Sequence, residues 1–311
     1  MNKAFIFGIG GFVGKYLSEE LAAHGYTVSG SDIRRTENVL PEVRFSPCDI
    51  LDTAAVRELL LAEKPDCIIN LAAISSVGAS WKMPSATVSV NVVGALNILE
   101  GARALDPMPR VMFIGSSEEY QPSVQAVSED TPLSANNPYG ISKMTQEKFA
   151  EIYRQRFGMQ IYYVRPFNHT GIGQRDSFVL PSFCRQAAEI ERSGKPGVIH
   201  VGNLAAKRDF GDVRDVVRAY RMIIESEDCT KVYNVGSGEA YSLSELLEYI
   251  ISLSSRKIEI SVDADKFRPV DTPVVLCDHR RISAELGWQP EHSIFETLKE
   301  MFLYYRDHPE K

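Results

Sequence analysis

The sequence has little to offer a disulfide or a metal. Its 311 residues hold five cysteines, Cys48, Cys67, Cys184, Cys229 and Cys277. The number is odd, the spacings are wide, and no two form a Cys-x-x-Cys pair. That pattern carries no disulfide framework and no zinc site, and it fits a reduced, cytoplasmic setting. The six histidines are scattered, and only His169 falls in a segment with other candidate site residues. No apolar run is long enough to span a bilayer. No signal peptide is expected either, because Met1 leads directly into a glycine-interrupted apolar run without a cleavage site. There is no excess of positive charge. Lysine and arginine number 34 against 41 acidic residues, for a formal charge of −7. That argues against a dedicated nucleic-acid or anionic-membrane surface, although a few local basic residues could still hold a small anion. Internal repeats and low-complexity linkers are absent as well.

What is present is an ordinary globular composition, 44% apolar and 24% charged, in a chain long enough for one large α/β unit or two unequal lobes. The first half alternates short apolar runs with helical patterns. AFIF (4–7), TVSGSD (27–32), VRFSPCD (43–49), CIINLAA (67–73), VMFIGSS (111–117) and IYYVRP (161–166) read as strands. Phe12, Val13, Tyr16, Leu17 and Leu21 have helical spacing, and Asp52 is placed to cap a helix over TAAVRELLLAE. Strands apolar on both faces, alternating with helices, predict a Rossmann-type doubly wound parallel sheet with right-handed crossovers. Residues 1–167 are expected to form this dinucleotide-binding domain. Beyond about Asn168 the alternation breaks. Residues 168–311 are expected to form mainly a smaller α/β substrate lobe, with some segments returning to the sheet.

Gly8, Gly11 and Gly14 form G-x-x-G-x-x-G directly after the first strand. Such a loop permits a tight turn, close approach of a pyrophosphate, and close helix–strand packing. The helix opening at Phe12 and Val13 then offers free N–H groups to the phosphates. Asp32 ends the second strand 18 residues after Gly14, where a carboxylate can accept from an adenosine ribose. Asp32 favours NAD, while the neighbouring Arg34 and Arg35 leave NADP open.

Tyr139 and Lys143 lie one helical turn apart in NNPYGISK. An ammonium beside a phenol is expected to lower the phenol's pKa and fit it for proton transfer near neutral pH. The strand VMFIG leads into Ser116, Ser117 and Glu118, and a hydroxyl there could hold a substrate oxygen beside Tyr139.

Together these segments resemble the extended short-chain dehydrogenase/reductases that modify nucleotide sugars. The resemblance spans essentially the whole chain, through GIGGFVG, NLAA, NVVGALNILE, GSSEEY, NPYGISK, RPFNHTGIGQ, GNLAAKRDF, YNVGSG and LGWQP. RPFNHTG, GNLAAKRDF and FRP resemble the GDP-mannose 4,6-dehydratase branch and its reductase relatives in particular. The resemblance implies Ser116, Glu118, Tyr139 and Lys143 as the catalytic group. It implies that Asp49 and Ile50 flank the adenine and that Leu71, Ala72 and Ala73 run along the cofactor. Ser75 would touch the hexose, Asn168 would lie near the sugar and the nicotinamide, and Val179 would give a backbone contact. Asn203, Arg208, Arg268 and Asp271 would hold the nucleotide end.

The resemblance implies NAD(P)H-dependent reduction of the 4-keto group of a GDP-4-keto-6-deoxyhexose, giving a GDP-6-deoxyhexose such as GDP-rhamnose. The alternatives are a 4,6-dehydratase or 4-epimerase with recycled cofactor, and a non-catalytic NAD(P)-binding sensor. Sensors commonly lose the tyrosine or the lysine, and this chain keeps both. Dehydratases carry a lysine after the matching Phe-Val, where this chain has Ser182. No metal is implied. Helices near Ser85–Ala102 and Tyr139–Phe157 carry more apolar residues than one face needs, and the resemblance implies a homodimer through a four-helix bundle.

Overall fold

A computed structural model of the chain describes residues 2–263 and 272–309. In chain order the first half comprises β1 (Lys3–Phe7), α1 (Phe12–Ala23), β2 (Thr27–Asp32), β3 (Arg44–Pro47), α2 (Thr53–Glu63), β4 (Cys67–Asn70), α3 (Val77–Lys82), α4 (Pro84–Val88), α5 (Gly94–Arg103), β5 (Arg110–Ile114), α6 (Pro138–Phe157) and β6 (Ile161–Pro166). The second half adds β7 (Asn168–Thr170), α7 (Val179–Ser193), β8 (Gly197–Val201), β9 (Lys207–Asp212), α8 (Val213–Glu225), β10 (Val232–Val235), β11 (Ala240–Ser242), α9 (Leu243–Ser252), β12 (Ile258–Val262), β13 (Val274–Val275), α10 (Arg280–Leu286) and α11 (Ile294–Asp307).

Seven strands form one parallel sheet in the order β10-β6-β5-β4-β1-β2-β3. The order reverses between β1 and β4, which opens a crevice at their carboxyl ends. β4 is buried at every position and β1 at all but its first, so helices must cover both faces. One core packs α1 and α8 over one face through Leu17, Leu21, Val216 and Tyr220. The other packs α2 and α5 over the opposite face through Val56, Leu60, Ile98 and Leu99. Asp52 caps α2 by accepting from Ala54 and Ala55 N–H.

The strands stop earlier than their apolar runs. β4 ends at Asn70 and β5 at Ile114. The residues beyond turn away from the sheet at the crevice. Segments of the second half return to the sheet: β10 pairs with β6, and Trp288 joins the core under α8. The remaining elements pack around a separate core in which Leu180, Phe183, Leu246 and Leu298 are fully or almost fully buried. β9 pairs there with β7, β11 and β13.

The predicted helix over 85–102 is divided. α4 passes into a π-helical turn at Ser89–Val93 and then α5. Its apolar residues divide as well. Val92, Ile98 and Leu99 are buried inside this chain, so they are not available to a partner, whereas Val88 and Val93 face outward. Arg268 and Asp271 lie outside the described residues. No described helix is long and apolar enough to cross a membrane.

Candidate active site

The glycine loop is shaped by close backbone approach. Gly8 has φ +79°, and a Cβ there would stand 2.6 Å from Ala72 N. Any side chain would push apart the first loop and the Leu71–Ala73 segment. Leu71 N–H donates to Phe7 O at 2.8 Å, which fastens the two segments together. A Cβ on Gly14 would collide with the carbonyl of Ile9. Phe12 and Val13 begin α1 with no side chain capping their N–H groups. Beside the crevice, Asn70 Nδ2 is buried and unpartnered. An open helix start, a cradle that admits no Cβ and an orphaned buried donor fit a dinucleotide.

Asp32 leaves β2 with Oδ1 accepting from Ile33 N–H at 2.8 Å. Oδ2 lies 3.0 Å from where a Cβ on Gly10 would sit. Arg34 is exposed. Arg35 is drawn aside by the Leu40 carbonyl at 3.1 Å and the Phe45 ring. Asp49 Oδ1 accepts from Leu51 N–H, and Ile50 sends its side chain into the core against Gly94.

At the end of β5, Ser116 caps a single 3-10 turn, Ser117–Glu119, accepting from Glu118 N–H. Its hydroxyl favours the ionised form of the Tyr139 phenol. Tyr139 and Lys143 both project from the first turns of α6 and are buried. Lys143 Nζ donates to Ile114 O at 2.7 Å and stands 6.0 Å from the centre of the Tyr139 ring. Burial lowers the Lys143 pKa to about 8. The expectation of a lowered Tyr139 pKa is overturned. Burial pushes the phenol well above its ordinary value, and the Glu118 carboxylate adds to the rise. The ammonium gives its hydrogen bond to the Ile114 carbonyl. Tyr139 therefore holds its proton at neutral pH. Glu118 is turned toward α6, where its Oε2 accepts from Asn137 Nδ2 at 2.8 Å.

Ser75 is exposed beyond β4, one residue before Ser76, which caps α3. Asn168 opens β7 opposite Phe210 of β9, and Val179 opens α7. Arg208, two residues before Phe210, points to the same side of β9. It is buried and donates to the carbonyls of Lys207 and Thr272. Asn203 accepts from Ala205 N–H in the turn between β8 and β9. Ser182 lies on α7, bonded by Gln186.

Several contributors were missed. Asn91, in the π-helical turn, is fully buried. Its amide accepts from Ile74 N–H and donates to Ile74 O and Ser142 Oγ. It thus ties the segment after β4 to the helix that carries Tyr139. Asn137 caps α6 and holds Glu118 in the same gesture. Thr36 and Asn38 both donate to Gly10 O and pin the glycine loop. Asn137 was legible as a cap before Pro138. The others had no local signal.

This fold and this site define an oxidoreductase of the extended short-chain dehydrogenase/reductase type, built for NAD(P). Residues 5–301 match the family model described as GDP-mannose 4,6 dehydratase. The chain is 31% identical over 301 residues to the GDP-6-deoxy-D-mannose reductase of Pseudomonas aeruginosa, covering 96% of this chain and 95% of the relative. It is 27% identical to the GDP-mannose 4,6-dehydratase of Vibrio cholerae, covering 97% and 93%. Among solved structures, RMD from Pseudomonas aeruginosa complexed with NADPH superposes with a TM-score of 0.87 at 29% identity, over 99% of this chain and all of that one. UDP-glucose 4-epimerase from Thermus thermophilus complexed with NAD gives 0.85 at 25% identity, over 98% and 99%. The chain belongs to the GDP-mannose 4,6-dehydratase family.

Proposed function

We propose that the protein is an NAD(P)H-dependent reductase of the 4-keto group of a GDP-4-keto-6-deoxyhexose, yielding a GDP-6-deoxyhexose such as GDP-rhamnose. One observation carries the choice of reduction, the nearly full-length similarity to a GDP-6-deoxy-D-mannose reductase, and the buried Tyr139 phenol, pushed toward its protonated form, fits it. Reduction of a ketone creates an alkoxide that needs a proton. Tyr139 has one to give, and Ser116 orients the keto oxygen toward it. When bound, the reduced nicotinamide supplies the hydride. Lys143, held by Ile114 O, offsets the negative charge left on Tyr139. Similarity to a reductase over nearly full length supports the substrate class.

Asn168 and Val179 are proposed to face the sugar, with Ser75 at the hexose. Asn203, Arg208, Arg268 and Asp271 are proposed for the nucleotide end, where arginines suit a diphosphate and a carboxylate suits a ribose diol. At the adenosine end Asp32 supports NAD, and the exposed Arg34 supports acceptance of a 2′-phosphate.

One observation favours a 4,6-dehydratase as the second reading. Glu118 lies in the same turn as Ser116, positioned by Asn137, where a base for a C5 proton would be needed. Ser182 in place of the dehydratases' lysine weighs against it. The deciding experiment supplies GDP-4-keto-6-deoxy-mannose with NADPH or NADH and follows reduced-cofactor absorbance. Consumption of about one cofactor per sugar supports the reductase. Conversion of GDP-mannose without net cofactor consumption would replace it with the dehydratase.

A homodimer is also proposed. Val88 (45% exposed), Val93 (44%), Ile141 (45%) and Ile152 (53%) are outward apolar residues on the adjoining α4–α5 and α6 segments. A second copy of the same helices would cover them. A monomeric mass by light scattering at micromolar concentration would remove this proposal. Five free cysteines support a reducing, cytoplasmic location.

A further inference from the structure

Beneath the proton-transfer centre lies a cluster that the proposed chemistry does not use. Glu119 has no exposed surface, although it directly follows Glu118. Its Oε1 accepts from Ser116 N–H at 2.7 Å and from Tyr163 OH at 3.3 Å. Its Oε2 is buried and meets no donor. Glu147, one turn beyond Lys143 on α6, takes a bidentate bond from Arg165 at 2.6 and 3.0 Å. Arg165 spends its remaining arm on Tyr120 OH at 2.7 Å and reaches Glu119 Oε2 only at 3.9 Å. The two carboxyls thus flank the same guanidinium.

Two buried carboxylates around one guanidinium do not both stay ionised when an oxygen of one meets no donor. Arg165 has given its hydrogen bonds to Glu147 and Tyr120 and none to Glu119 Oε2. We propose that Glu119 and Glu147 share one proton, carried on Glu119 Oε2, and that this acid–carboxylate pair is a positioning element of the active site. It anchors the Ser116 turn through the Ser116 N–H and fastens that turn to the helix carrying Tyr139 and Lys143. It also joins both to β6 through Arg165. Burial and the neighbouring Glu147 both favour the protonated form of Glu119.

The groups facing Glu119 are Tyr139, Lys143 and Glu147 from α6, Tyr163 and Arg165 from β6, and Tyr120 beside it in sequence. Of the cations, Arg165 favours the ionised form, but it gives its bonds to Glu147 and to Tyr120 OH. The proton has a functional consequence. An ionised Glu119 would raise both Lys143 and Tyr139, so the shared proton keeps an extra negative charge away from the pair.

The test needs neither cofactor nor substrate, so it stands or falls separately from the proposed reaction. Glu119→Gln has the shape of the protonated acid. Its carbonyl accepts from Ser116 N–H and its amide donates to Glu147. A carboxyl that keeps its proton in the fold but loses it in the unfolded chain lowers stability as pH rises above the ordinary carboxyl range. The Tm of Glu119→Gln should therefore gain on wild type by about 2 °C or more from about pH 5 to about pH 8. A lost packing contact would give a pH-independent difference. A wild type that gains on the variant as pH rises, or a constant difference, overturns the proposal. The assigned carboxyl carbon resonances of Glu119 and Glu147 in isotope-labelled wild type give a check that requires no variant. One acid form at neutral pH, passing with both signals moving together, supports the pair. Both carboxyls ionised at neutral pH overturn it.

Discussion

Lys143 Nζ donates to the Ile114 carbonyl at 2.7 Å while standing 6.0 Å from the Tyr139 ring centre. The lysine is thus fixed by the strand end rather than by its tyrosine. Its pKa is lowered from 10.5 to about 8 by burial. It loses its charge in the fold as pH rises through about 8, whereas the unfolded chain keeps it until about 10.4. Between those values the unfolded state binds more protons, so stability rises with pH. Lys143→Met should abolish that rise in chemical denaturation. Turnover should fall above about pH 8 as the ammonium is lost, while Tyr139 keeps its proton. Lys143→Arg should move that limb upward, and an unmoved limb would assign it to another group.

Tyr139→Phe removes the donor while leaving the ring in its pocket. Turnover should fall by ~100-fold or more, the scale of a positioned acid. Melting temperature and dinucleotide affinity should stay near wild type. Near-normal turnover in this variant would exclude Tyr139 as the proton source.

At the other end of the crevice, Asp32→Ala should weaken NAD(H) more than NADP(H). A carboxylate at this position would both accept from a ribose diol and repel a 2′-phosphate. Titration of each cofactor by fluorescence measures the two losses, and equal loss would mean that Asp32 does not face the ribose.

The first crevice wall was legible because its determinants are local. A strand, a glycine triplet and a helix start are set by spacing, and Gly8 with its φ of +79° is a residue only spacing could nominate. The Tyr139–Lys143 pair was legible for the same reason, as one helical turn. Its electrostatics were not. Two residues on one helix face suggest a coupled pair, but burial and the Ile114 carbonyl come from β5 and from the surrounding core. Asn91 and the Glu119–Glu147–Arg165 cluster were invisible because each partner lies far away in sequence. The π-helical turn at Ser89–Val93 likewise has no spacing signature, since it serves to aim Asn91 at Ile74.

Asn91 makes three bonds that join the segment after β4 to α6. Asn91→Ala would strand the Ile74 N–H and C=O together. The expected cost is ~2 kcal/mol in denaturant unfolding, the scale of a buried unsatisfied polar group. Turnover should drop as well, because the helix bearing Tyr139 loses its tether. Full retention of both would mean that water replaces the amide without consequence.

Glu118→Gln separates the two proposed chemistries. Hydride addition to a 4-ketone moves no C5 proton, so a reductase needs from residue 118 only the bond with Asn137. Glutamine keeps the side-chain oxygen that accepts from Asn137 Nδ2 at 2.8 Å. Reduction of the 4-keto-6-deoxy sugar nucleotide should therefore persist within about 10-fold of wild type. Dehydration instead requires a carboxylate to take the C5 proton and an acid to release the C6 hydroxyl, and an amide can do neither. A dehydratase would lose nearly all activity, on the order of 100-fold or more. The measurement is turnover of wild type and variant on both GDP-mannose and its 4-keto-6-deoxy product. If wild type converts GDP-mannose with no net cofactor change and the variant does not, Glu118 is a base and the reductase assignment falls.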